Sequence, residues 1–165
     1  MALPFKKYID IPTFVLANVV VDFEPLAVIL LHLNYPHHGF CHTFLIGGIV
    51  GLLWGIFAYL AKGLFKWPMK LFCFPYQPTI TKTILSGIIG VWFHVFVDSI
   101  LYPDVRPFWP FAANPFLIII KPLSLYLICV ISILVSLVIY PARAFYLYRK
   151  QNPKPQPTRP PGPDN

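Results

Sequence analysis

Three of the five histidines fall within six residues, in Pro36-His37-His38-Gly39-Phe40-Cys41-His42-Thr43. Two other ionisable groups stand in otherwise apolar sequence: Asp22 with Glu24 upstream, and His94 with Asp98 downstream. Imidazole and carboxylate together are a donor set for zinc, manganese or iron, and a poor match for calcium. His94 and Asp98, at i and i+4, project from one helix face about one turn apart. His38 and His42 share that spacing if a helix begins early. Asp22 and Glu24, at i and i+2, point together only where the backbone is extended or broken. Pro25 supplies a reason for a break, because proline lacks the backbone donor and clashes with the preceding turn.

The chemistry such a set would support is metal-assisted hydrolysis. A bound cation lowers the pKa of water toward ~7 and polarises a phosphoryl or acyl oxygen. Asp22, Glu24, His42, His94 and Asp98 are the candidate ligands. His37 and His38 are the candidate acid–base groups. Asp104 and Arg106 are the candidate substrate contacts, since a guanidinium can grip a phosphate or carboxylate. Cys41 lies close by, but a bare cysteine is not taken as a ligand here.

The elements that must position these groups are read from composition and hydropathy. The chain has 165 residues, of which 57% are hydrophobic and only 12% charged. Soluble domains carry about a quarter charged residues, so the sequence predicts an all-α integral membrane protein. Its mean hydropathy of +0.66 agrees. About four transmembrane helices are expected, over residues 13–33, 43–61, 83–102, and from 116 or 122 to 140. The first should be broken near residues 22–25. Gly48, Gly51 and Gly55 offer a smooth face on the second. Residues 62–82 read as a polar, Pro-containing loop, and 103–115 as a loop dense in proline and aromatics. The fourth span reads as a packing helix. Residues 1–150 form one helical membrane domain, and 151–165 a disordered, Pro-rich tail.

The net charge of +7 does not indicate nucleic acid. The basic residues fall mainly in three segments: Lys6 and Lys7; Lys62, Lys66, Lys70 and Lys82; and Arg143, Arg149, Lys150, Lys154 and Arg159. Four spans put all three on one side, which the positive-inside rule makes the cytoplasm. The expected location is an inner or plasma membrane, with both termini cytoplasmic and the histidine loop on the opposite face. Cys41, Cys73 and Cys129 lack any C-x-x-C spacing and give no disulfide framework.

Three of the six acidic residues, Asp22, Glu24 and Asp98, lie inside predicted spans. Each charged group at mid-bilayer costs on the order of 2.5–3.5 kcal/mol, and a divalent cation offsets that cost. Depth opposes a simple arrangement. At ~1.5 Å per residue, Asp22 would lie ~16 Å below Leu33, whereas His42 sits at the rim of the second span. A straight first helix could not bring them together.

The motif order resembles the YdjM-like, LexA-regulated family of inner-membrane proteins, described as membrane-bound metal-dependent hydrolases. That family has an acidic pair closing an apolar helix, here Val21-Asp22-Phe23-Glu24. It then has a His-Arg-Gly-x-Thr-His-Ser-like motif, here His37-His38-Gly39-Phe40-Cys41-His42-Thr43. A Gly-x-x-x-His-x-x-x-Asp helix follows, here Gly90 to Asp98, leading to Pro107-Phe108-Trp109-Pro110. The resemblance covers roughly residues 14–111. Glu24 stands where aspartate is usual, Val21 where proline is, and His38 where arginine is. The resemblance implies a membrane-bound, metal-dependent hydrolase. From the donor set the expected ion is zinc, with manganese or iron as alternatives, and the expected substrate is a lipid or phosphoester at the membrane. Two other classes fit the same residues: a metal-ion or proton transporter, and a non-enzymatic membrane protein with a structural metal.

Overall fold

A computed structural model describes residues 8–71 and 76–151. Lys6, Lys7, Cys73 and the expected tail from residue 152 onward lie outside the described residues. The elements are α1 (Ile11–Val20), α2 (Phe23–Leu30), a 3-10 turn (Phe40–His42), α3 (Phe44–Leu60), α4 (Lys62–Leu71), α5 (Ile80–Leu101) and α6 (Pro122–Gln151). No strand occurs among the described residues. Three stretches are long and apolar enough to cross a membrane: Ile11–Leu30, Ile80–Leu101 and Pro122–Leu147. The number rises to four if α3 and α4, bent by 76° at their junction, count as one span.

The break in the first span falls at Val21–Asp22. Pro25 has no N–H to offer Val21, and Glu24 N bonds the Val21 carbonyl instead at 3.3 Å. Asp22 N likewise reaches back only three residues, to Val19 O at 3.1 Å. These tighter bonds interrupt the helix for two residues and leave α1 and α2 within one span. Pro25 then sits in the first turn of α2, where a missing donor costs little.

α2 ends in a Schellman turn. Leu33 N bonds Val28 O at 3.0 Å, with His32 in the left-handed region at φ 50. Without glycine this conformation costs roughly 1–2 kcal/mol, and it reverses the chain. The loop then descends beside α2, so that Cys41 N reaches the Glu24 carboxylate at 3.0 Å. α3 therefore starts level with the base of α2. That removes the depth conflict: the return loop carries His42 down to Asp22.

α5 is the central helix, packed against α3 on one side and α1 on the other. Small residues make both contacts close. A Cβ on Gly51 would lie 2.6 Å from Gly87 O, and one on Gly90 would lie 2.7 Å from Ala17 Cβ. The buried face of α3 is Gly47, Gly51, Gly55 and Ala58. Gly47 thus takes the place expected for Gly48, which faces the Trp92 indole. Close backbone approach suits helices in lipid, where apolar surface alone gives no net drive to associate. Trp54 Nε1 donates to Thr13 O at 3.0 Å and Trp92 Nε1 to Phe44 O at 2.8 Å, tying helix to helix. Asp10 caps α1, accepting from Thr13 N, while its own N–H donates to Ser86 Oγ at 2.7 Å.

Two expectations are corrected. Lys62–Leu71, read as loop, is the helix α4. Its lysines at 62, 66 and 70 fall at i, i+4 and i+8 on one face, and Leu64, Phe65, Pro68 and Leu71 share another. Pro68 is tolerated inside it. The fourth span, read as a packing helix, buries Leu125 near its start, and most of its remaining apolar side chains are exposed. Residues 102–116 lie as turns across the ends of α3 and α5, anchored by Phe44 N to Pro107 O at 2.9 Å and Asn114 Nδ2 to Ser99 O at 2.9 Å.

Candidate metal centre

Four side chains converge at the end of the α1–α3–α5 core. Asp22 comes from the α1–α2 junction, His42 from the 3-10 turn, and His94 and Asp98 from one face of α5. One ligand atom from each lies within 4.8 Å of all the others. His94 Nε2 is 3.1 Å from Asp22 Oδ1 and 3.0 Å from Asp98 Oδ2. His42 Nε2 is 3.8 Å and 3.6 Å from the same two oxygens. A tetrahedron with ~2.1 Å metal–ligand bonds has edges of ~3.4 Å, so these separations bracket a coordination shell.

The orientation of the two imidazoles is more telling than the distances. His42 Nε2 and His94 Nε2 are both buried and both lack a hydrogen-bond partner. Each nevertheless has two carboxylate oxygens within ion-pair reach. Buried nitrogens are rarely left orphaned. A cation between these nitrogens and the carboxylate oxygens would satisfy both imidazoles. Two nitrogens and two oxygens form a borderline-hard donor set that suits zinc, manganese or iron.

Beneath the cluster lie Ala17, Val21, Val91 and Val95, all fully buried. They alternate in sequence with the ligands: Val21 precedes Asp22, and Val95 follows His94. The helix periodicity that packs the valines therefore also fixes the ligand directions. Burial is uneven around the site. His42's side chain is 0% exposed and Asp98's 12%, whereas Asp22's is 50%.

Glu24, expected as a ligand, is placed differently. Its Oε2 lies 3.1 Å from His42 Nδ1, the ring nitrogen turned away from the cluster. The same oxygen accepts from Cys41 N. With Nδ1–H donating to Glu24, Nε2 keeps its lone pair free, the arrangement in which an outer carboxylate orients a ligating histidine. Gly39 makes room for it, since a Cβ there would stand 2.6 Å from Glu24 Oε1.

His38 stands at the rim. Its Nδ1 is 3.0 Å from Asp104 Oδ2, and its Nε2 is 3.9 Å from Asp98 Oδ2. Its ring stacks on Tyr102 with centroids 4.5 Å apart. Asp104, expected to contact substrate, thus holds His38. Burial raises the Asp104 pKa, but the hydrogen bond and charge of His38 outweigh it and leave the carboxyl below its ordinary value.

No family model, curated protein or solved structure matches the chain. The assignment of the site therefore rests on its geometry and on the motif order.

The remaining candidates divide. Arg106 lines a cavity of about 280 Å³ beside His38, together with Tyr35, Asp104 and Trp109. His37 is exposed and outside the cluster. Cys41 donates its backbone N–H to Glu24. Three supporting residues were not anticipated: Gly39, Tyr102, and Tyr35, whose hydroxyl accepts from Phe40 N at 3.2 Å. A glycine inside the histidine motif was the one available signal.

Proposed function

We propose that the protein is a membrane-bound, metal-dependent hydrolase acting on a phosphoester or acyl bond of a lipid-like or membrane-proximal substrate. The observation that carries this reading is the convergence of Asp22, His42, His94 and Asp98 beside a histidine–carboxylate pair. A divalent cation held there, for which we propose zinc with manganese or iron as alternatives, would acidify water and polarise the scissile group. His42 and His94 would supply imidazole nitrogens, and Asp22 and Asp98 would balance the ion's charge. His38, held at Nδ1 by Asp104, is positioned to take a proton from water and return it to the leaving group. The resemblance to the YdjM-like family supports the same assignment through motif order.

The half-exposed Asp22 leaves one flank of the cluster open, which suits catalysis better than a closed structural shell. A relay across the bilayer has less support. α3 has no Asp, Glu, His, Lys or Arg, and α5 has only Lys82 before His94. We place the site on the non-cytoplasmic side from the distribution of lysine and arginine.

The test is turnover by purified, zinc- or manganese-loaded protein on a chromogenic phosphoester and a chromogenic acyl ester in mixed micelles. Hydrolysis of one class, lost with Asp98→Ala, is the expected result. Hydrolysis of neither, or activity unchanged by Asp98→Ala, contradicts the reading.

A further inference from the structure

The polar cavity beside His38 adjoins a second space at Trp109. Trp109 forms part of its wall and part of a second, apolar groove of about 540 Å³. This groove runs along α3 past Phe44, Gly48, Ile49 and Leu52, with Trp92 of α5 on its other side. Phe44 to Leu52 spans about 12 Å along the helix axis. Gly48 opens the groove, since a Cβ there would already be 3.1 Å from Trp92 Nε1. Leu45 and Ile49, which line it, are 60% and 52% exposed on the side of α3 that faces outward. In a bilayer that side meets hydrocarbon.

The two spaces differ in chemistry. The polar cavity offers one fixed cation, Arg106. Asp104 is already engaged by the ring and backbone N–H of His38. Phe40 packs edge-on to Trp109 at 5.1 Å where the two spaces meet. A water-soluble phosphoester would need only the polar cavity. An apolar groove that meets it at Trp109 and follows a membrane helix is useful to a molecule with a hydrocarbon chain.

We propose that the substrate is a phosphate-bearing amphiphile, its phosphate on Arg106 beside His38 and its hydrocarbon chain in the Phe44–Leu52 groove. This rests on the hydrolase reading for the word substrate, but the binding geometry stands independently of turnover. Arg106 supplies charge-assisted hydrogen bonds to phosphate oxygens. The groove removes apolar chain from the aqueous rim.

The test is binding to full-length protein in detergent, with chelator present so that nothing turns over. The probes are dioctanoyl phosphatidic acid, dioctanoylglycerol and inorganic phosphate. The phosphatidic acid should bind at least about tenfold more tightly than either fragment. Arg106→Ala should cost it about tenfold while sparing dioctanoylglycerol. Ile49→Trp, which fills the groove, should weaken both chain-bearing probes by about tenfold. Leu53→Trp adds the same bulk to α3 outside the groove, and should change affinity less than about twofold, separating occlusion from misfolding. Equal affinity for phosphatidic acid and dioctanoylglycerol, or wild-type binding by Ile49→Trp, overturns the proposal. Selective binding with no turnover after metal is restored would remove the hydrolase reading and keep the amphiphile site. Turnover of a soluble phosphoester without amphiphile preference would do the reverse.

Discussion

Glu24 Oε2 stands 3.1 Å from His42 Nδ1, on the opposite ring edge from the nitrogen that faces Asp22 and Asp98. A carboxylate in that place would orient the imidazole rather than join the cluster. Glu24→Gln should therefore keep the fold and lower metal affinity by about 10–100-fold, read by competition with a chromogenic chelator. An affinity equal to wild type would show that His42 needs no orienting carboxylate.

His38 and Asp104 should affect rate rather than metal. Neither belongs to the four-atom cluster, and they hold each other at 3.0 Å. His38→Ala should retain a full complement of metal and lose ~10²–10⁴ in kcat. Asp104→Asn should lose less, because the imidazole remains but is no longer oriented by a charge. Parallel measurement of bound metal and kcat decides the matter. Metal lost in His38→Ala would move that residue into the coordination shell.

Much of this was legible because charge is costly in an apolar run. Asp22, His94 and Asp98 stand out for that reason, and the i, i+4 spacing alone puts His94 and Asp98 on one helix face. The interruption at residues 21–22 follows from the missing N–H of Pro25. Other features depend on tertiary context. Nothing in the residue type of His32 announces a left-handed helix end, so the returning loop that lowers His42 could not be read. Glu24 looked like Asp22's twin. That Asp22 joins the cluster while Glu24 stands behind His42 depends on where Gly39 brings the loop backbone. Lys62–Leu71 passed for a loop because its lysines and Pro68 hid an amphipathic period of less than three turns.

The α3–α5 contact predicts a steep penalty for added bulk. A Cβ on Gly51 would be 2.7 Å from Ile88 Cα, and one on Gly55 would be 2.6 Å from Thr83 O. Backbone cannot give way as a side chain can. Gly51→Val should destabilise by about 1–3 kcal/mol or more, and it should loosen the site that α5 carries. Gly63, in α4, meets nothing within 4 Å. Gly63→Ala should instead stabilise the helix by roughly 0.8–1.0 kcal/mol. Unfolding in a mixed-micelle denaturant series compares the two.

α4 leaves α3 at 76° with Lys62, Lys66 and Lys70 along one face, as a basic helix in the membrane interface would. In a background with Cys41, Cys73 and Cys129 replaced by serine, Lys66→Cys should react with an impermeant maleimide only in inside-out vesicles. Phe111→Cys, on the loop across the site, should react in right-side-out vesicles. The opposite pattern would invert the orientation assigned to the site.

The central claim is that Asp22, His42, His94 and Asp98 hold one divalent ion. Its most direct test is elemental analysis of detergent-purified protein after equilibration with saturating zinc or manganese and removal of free metal. Wild type should retain about one ion per chain, and His94→Ala and Asp98→Ala should each retain far less while keeping the wild-type helical spectrum. Metal-free wild type, or an ion retained equally by both variants, would contradict it.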